Sequence, residues 1–183
     1  RLKPGDVAMY ADLDYDSMQY AMNWLKERRG AEVVKIALPE PATHQGVIDA
    51  YAHALERNPK TKLLLLTHVS HRTGLVVPVA EVAKMARSRG VDVIVDAAHS
   101  WGQMDFDVPS LGVDFAGFNL HKWMGAPLGV GFLYIRKGRL DDISRCFDDG
   151  DFAPTDIRSR VHSGTTNIAN VMTVPAALDV HRA

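Results

Sequence analysis

The chain has 183 residues, 46% of them hydrophobic, a net charge of −1 and a single cysteine, Cys146. Such a length and apolar fraction suffice for one domain, or part of a larger one, with a sizeable core. The near-zero charge argues against nucleic acid or an anionic membrane as partner, no apolar run approaches the ~18 residues of a membrane span, and a lone cysteine allows no internal disulfide and no cysteine-based metal cluster, which fits a reducing, cytoplasmic compartment.

The opening Arg1-Leu2-Lys3-Pro4-Gly5-Asp6 reads as a turn leading into a strand rather than as a signal-peptide core. Val7 to Tyr10 is a short strand. Asp16 or Ser17 is placed to cap a helix with Met18, Ala21, Met22 and Leu25 on one face, basic residues from Lys26 to Arg29 near its end and Gly30 as its stop. Ala31 to Leu38 is a second strand. After the Pro39-Glu40-Pro41 loop comes a helix with Val47, Ile48, Tyr51, Ala54 and Leu55 inward, stopping near Asn58-Pro59. Lys62 to Val69 is a continuous apolar run that suits a strand buried on both faces. Pro78 precedes a third helix with Val79, Val82, Ala83 and Ala86 inward and Gly90 as its stop. Val91 to Val95, Asp114 to Phe118 and Val130 to Ile135 are further strands. Ile168 to Val180 is a final helix, interrupted or kinked near Pro175.

Helices alternating with buried strands predict an α/β fold, a mostly parallel sheet flanked by helices. Ligands of such sheets sit at the carboxyl ends of the strands. Three polar segments fall there, each after a different strand: His68 to Gly74, Asp96 to His99 and Asn119 to Lys122.

A lone lysine in a loop is usually a solvated residue, and a strand-end aspartate usually caps the segment that follows it. Their combination here has a more specific reading. Phe118, Leu120, Trp123 and Met124 surround Lys122 with apolar groups, which favours the neutral, nucleophilic amine. A lysine beyond one strand end and an aspartate at another are what pyridoxal phosphate (PLP) requires. The lysine holds the aldehyde as a Schiff base, and the aspartate keeps the pyridine nitrogen protonated so that the ring accepts electrons. His99 and His121 stand beside these two, either as cofactor contacts or as ordinary core and loop histidines.

The stretch Asp96-Ala97-Ala98-His99-Ser100-Trp101-Gly102, then Asp114-Phe115, His121-Lys122 and Gly129-Val130-Gly131-Phe132-Leu133-Tyr134-Ile135-Arg136, resembles the class V aminotransferase family of fold type I PLP-dependent enzymes. The run from His68 to Val79 resembles its isopenicillin N epimerase-like branch. The resemblance extends from Pro4-Gly5-Asp6 to Gly164-Thr165-Thr166-Asn167, and several motifs in one order make it more specific than any single pattern. It implies that Lys122 is the Schiff-base lysine and Asp96 the partner of the pyridine nitrogen. His99 lies near the phenolic oxygen, and His121 and Asn119 contact the phosphate. Thr165 reaches the phosphate in the partner subunit, which implies a homodimer with shared active sites.

The sequence departs from the family's pattern at two positions. Tyr15 stands where many members stack a histidine on the pyridine ring, and His71 stands where many have an asparagine near the phenolic oxygen. The resemblance also implies that residues 1–183 are the central part of a PLP-binding large domain. An N-terminal segment with a phosphate-gripping turn would precede it, and a small C-terminal domain would follow. The 183-residue piece by itself is then expected to be a poor catalyst.

The expected activity is that of a PLP enzyme working at the Cα of a small-molecule amino acid substrate, as an epimerase-like protein or an aminotransferase. The alternatives are cysteine desulfurase or selenocysteine lyase-type activity, and a PLP-binding scaffold without turnover. A desulfurase needs a mobile thiolate; Cys146 does not match the family's catalytic cysteine and reads better as a packed or loop residue. No Gly-x-Gly-x-x-Gly or Walker-type lysine motif supports a nucleotide-binding domain. No carboxylate spacing around His68, His71 and His99 supports a metal site.

Overall fold

The computed structural model describes residues 2–145, 152–161, 164–165 and 167–183. Six strands form one sheet: β1 (Val7–Ala11), β2 (Glu32–Ile36), β3 (Thr61–Thr67), β4 (Asp92–Asp96), β5 (Phe115–Asn119) and β6 (Gly131–Ile135). Their order is β2-β1-β3-β4-β5-β6, with β1 to β5 mutually parallel and β6 antiparallel to β5. Parallel neighbours need a crossover, and helices supply three of them: α1 (Asp16–Arg29), α2 (His44–Arg57) and α3 (Val79–Ser88). The connection from β5 to β6 contains no helix, so β6 returns antiparallel. The mostly parallel α/β sheet expected from the alternation is thus present.

Period-two burial divides the sheet into two faces. Met9, Leu64, Leu66, Val93, Val95 and Ala116 pack against α2 and α3, through Val47, Tyr51, Ala54 and Leu55 of α2 and Val79, Val82, Ala83 and Ala86 of α3. Ala8, Tyr10 and Leu65 face the other way, toward Met22 of α1. Leu64, Leu65 and Leu66 have no exposed surface, so truncating any of them to alanine would cost about 2–5 kcal/mol.

Two details of the first helix differ from expectation. Tyr15, not Asp16 or Ser17, is its N-cap, with extended backbone and no side-chain cap bond. Asp16 instead lies in the first turn, where its charge favours the positive helix end, and pairs with Arg72. Ala21 is exposed, and the inward position goes to Gln19, whose amide Nε2 donates to the carbonyls of Asp14 (2.6 Å) and Asp12 (3.2 Å). The last helix is broken as expected, into α4 (Ile168–Met172) and α5 (Val174–Arg182), with Pro175 in the first turn of α5. None of the described helices is long and apolar enough to cross a membrane.

Candidate active site

Five parallel strands end on the same edge of the sheet, and the segments beyond four of these ends form the site. β4 closes with Asp96, one carboxylate oxygen of which accepts from Ala98 N at 3.0 Å; the carbonyl of the same residue accepts from His68 N at 2.9 Å. The first bond is the turn-capping role of a strand-end aspartate, and it leaves the carboxylate lining the cleft described below. β5 closes with Asn119, and β6 can lie beside it only because Gly131 has no side chain: a Cβ there would fall 2.5 Å from the Phe118 carbonyl oxygen.

The Lys122 loop is anchored by a small apolar cluster of Leu120, Met124, Ala126 and Val130, against which Val174, Ala177 and Leu178 of α5 pack. It also rests on the turn after β4. Gly102 there has φ +86°, and a Cβ on it would meet Met124 Sδ at 3.0 Å and the Trp123 carbonyl carbon and Cβ at 3.2 Å. Glycine thus serves both a left-handed backbone and a close approach. Gly102→Ala is expected to cost about 1–2 kcal/mol from the backbone alone and to push the Lys122 loop away from His99. Thermal unfolding and the rate of amine labelling at Lys122 would check this.

Lys122 Nζ lies 3.1 Å from His99 Nε2 and 5.9 Å from the centroid of the Tyr15 ring. Trp123 Nε1 donates to the other nitrogen of His99, Nδ1, at 3.3 Å. Tyr15 meets His71 edge-on, with ring centroids 5.0 Å apart. Burial holds His99 below the ordinary histidine value, and the Asp96 charge opposes it.

Tyr15, Asp96, Asn119, His121 and Lys122 line the upper part of one open cleft of about 1070 Å³. Its floor is the part of the sheet that α1 leaves uncovered, Ile94, Gly117, Leu133 and Ile135, and Phe152, Ile157, Arg158 and Val161 complete its lining. His71 touches this group through Tyr15. Thr165 is exposed and does not line the cleft of its own chain. Cys146 lies outside the described residues. Among the described residues, no group of three or more His, Cys, Asp or Glu side chains is placed to hold a metal ion.

Asp14 was not among the expected site residues. Its side chain is 2% exposed and accepts from Ala11 N at 2.6 Å and from Thr67 N at 3.0 Å, tying the ends of β1 and β3 together one residue before Tyr15. In sequence it looks like a surface aspartate in Asp12-Leu13-Asp14. Burial, with a smaller contribution from the Asp96 charge, raises its pKa from 3.8 to about 6, against the pull of its hydrogen bonds. The folded state therefore binds a proton between these values that the unfolded state has released. Stability falls as pH rises from about 4 to 6, by on the order of 3 kcal/mol in all. Denaturant titrations across this range should show that slope in the native protein and lack it in Asp14→Asn.

The donor set fits PLP. It offers an amine for the aldehyde, a carboxylate at a strand end for the ring nitrogen, and an aromatic face near the amine. Nδ1 of His71 and Nδ1 of His121 are both buried without a hydrogen-bond partner. Buried polar atoms are nearly always paired, and His121, which lines the cleft, is placed to meet a group supplied by a ligand.

A mostly parallel sheet flanked by helices, with a lysine, an aspartate and a histidine converging at its carboxyl edge, fits a PLP-binding domain. The model of the aminotransferase class-V family matches residues 1–183, and the chain belongs to that family of PLP-dependent enzymes. It is 37% identical over 140 residues to an isopenicillin N epimerase of Streptomyces clavuligerus, a match covering 76% of this chain and 35% of the relative. The crystal structure of the cysteine desulfurase CsdA from Escherichia coli superposes with a TM-score of 0.86 at 27% identity, covering 98% of this chain and 46% of that one. A lysine-to-alanine variant of C-DES, with glycine covalently linked to its PLP cofactor, superposes with a TM-score of 0.85 at 25% identity, covering 98% and 50%. The chain thus spans about half or less of the length of these relatives.

Proposed function

We propose that residues 1–183 are the cofactor-binding part of the large domain of an enzyme acting at the Cα of an amino acid, with isopenicillin N epimerase-like or aminotransferase chemistry. The observation that carries this reading is the placement of Lys122 Nζ, 3.1 Å from His99 Nε2, in a cleft shared with Asp96, Asn119, His121 and Tyr15. When bound, PLP withdraws electrons from the substrate Cα.

Each side chain then has a task of its own. Lys122 Nζ would hold the cofactor at its aldehyde carbon and would take up or return the substrate's Cα proton. The Asp96 carboxylate holds a proton on the ring nitrogen, as a fixed charge in a partly dry site. Tyr15 offers its ring face for stacking. His99 and His71 donate to the phenolic oxygen. His121 and Asn119 hold the phosphate, the latter through its amide N–H.

Thr165, exposed on this chain, is assigned to the phosphate site of a second copy, which makes the enzyme a homodimer with shared active sites. Single-turnover assays of the enzyme with candidate amino acids, scored for epimerised product, oxo acid and sulfide, test the assignment. Release of sulfide from cysteine without epimerisation or transamination of any substrate would replace it with the desulfurase-type reading that the CsdA likeness favours. Bound cofactor with no turnover of any kind would replace it with a scaffold.

A further inference from the structure

His99 is held at both ring nitrogens, and the two partners differ in what they can do. Trp123 Nε1 stands 3.3 Å from Nδ1, and the two rings meet edge-on with centroids 6.4 Å apart. Lys122 Nζ stands 3.1 Å from Nε2. An indole N–H donates only, so Nδ1 must be the acceptor. A neutral imidazole with Nδ1 accepting carries its proton on Nε2. That N–H is directed at Lys122 Nζ, which can accept it only through a free lone pair; an ammonium has none.

We propose that Trp123 is a positioning residue that locks His99 in the Nε2–H tautomer and, through it, selects the amine form of Lys122. The second half of this rests on the reading of Lys122 as the cofactor-binding amine; the first half stands on the hydrogen-bond roles alone. The chain of donors runs one way, from indole to imidazole to amine. Protonating His99 at Nδ1 breaks its first link, and an ammonium at Lys122 would leave the Nε2–H without an acceptor.

The surroundings of His99 agree with a neutral ring. Burial is the main cause that disfavours an imidazolium here, and Asp96 opposes it. Gln103 Nε2 donates to the backbone carbonyl of His99 and so fixes the turn without touching the ring. Trp123 itself is 49% exposed. Its position immediately after Lys122 puts both ends of the relay on one loop.

The test uses cofactor-free protein labelled with 15N at histidine, with the His99 signals assigned by their loss in His99→Gln. Two-bond 1H–15N correlation spectra report which ring nitrogen carries the proton. The native protein is expected to show the Nε2–H tautomer. Trp123→Phe keeps the ring and removes the donor, so His99 should populate both tautomers and its titration midpoint should rise by about half to one pH unit, the equivalent of one ordinary hydrogen bond. Borohydride trapping of PLP at Lys122 should slow roughly 3- to 10-fold near neutral pH for the same reason.

A proton on Nδ1 of His99 in the native protein would overturn the proposal, as would a tautomer and midpoint unmoved by Trp123→Phe. The native spectrum decides the tautomer even where the variant proves unstable. If PLP is not trapped at Lys122 in the native protein, the reading of the lysine fails, while the spectra still decide the role of Trp123.

Discussion

Lys122→Ala is expected to abolish covalent capture of PLP. Borohydride treatment of the native protein with PLP should leave a permanent label on the peptide containing Lys122, and the variant should yield none. The effect is large because nothing nearby can substitute. The two side chains that Lys122 Nζ meets, His99 and Tyr15, carry no amine. On the proposed reading the lysine has two tasks in the whole enzyme, attachment and proton transfer at Cα. Loss of the second alone is worth roughly 10²–10⁴-fold in rate. The fold should tolerate the change: Lys122 is half-buried, and its bond to His99 is worth about 1 kcal/mol. A variant that unfolds at nearly the native temperature and takes no label would separate chemistry from stability. A label that persists, on another lysine, would refute the assignment of Lys122.

Much of this arrangement could be read before any coordinates because strand ends are legible. The β-branched run before Asp96 reads as a buried strand, and a polar residue closing such a strand lies on the sheet's carboxyl edge. The same reasoning put Asn119 to Lys122 on that edge, and both segments line one cleft. Tyr15 is named by the family resemblance rather than by any local pattern, and its ring centroid lies 5.9 Å from the Lys122 amine. Asp14 was not legible, because its importance comes from two backbone N–H groups, one of them on β3, far away in the chain. Gln19 was missed for a related reason. Its inward position breaks the apolar pattern of α1, but it serves the carbonyls of the Asp12–Asp14 turn. Trp123 read as one of four apolar neighbours of the lysine; that its indole N–H would meet a histidine from the preceding strand end depends on how two loops pack around Gly102. Contacts made across the sheet edge, rather than along the chain, are what periodicity cannot supply.

The second large effect is expected far from the chemistry, at Asp114. Its side chain is 1% exposed and accepts four bonds: from Val93 N at 2.9 Å, from Arg136 Nε at 3.0 Å and Nη2 at 2.6 Å, and from Arg139 Nη1 at 2.7 Å. It therefore ties β4 to the turn that follows β6, across the amino end of β5. Asp114→Ala would leave Val93 N–H unpaired and remove the shared anion between two guanidinium groups, one of which, Arg139, is only 17% exposed. Arg139 keeps Asp92 and Asp142, so the cost comes from the unpaired Val93 N–H and the lost charge-assisted bonds, about 3 kcal/mol in all. For a chain of this size that is a drop of roughly 10 °C in the unfolding midpoint. Asp92→Ala is the control. Asp92 meets the same Arg139 at 2.7 Å but is 40% exposed, so its loss should cost no more than about 1 kcal/mol. Equal losses from the two variants would show that burial of Asp114 is not what gives the network its strength. A large loss confined to Asp114 would reach the site as well. β4 and β5 share only three paired positions, Ile94 with Phe115, Val95 with Ala116 and Asp96 with Gly117, and the last of these sets the distance between Asp96 and the strand that leads to Lys122.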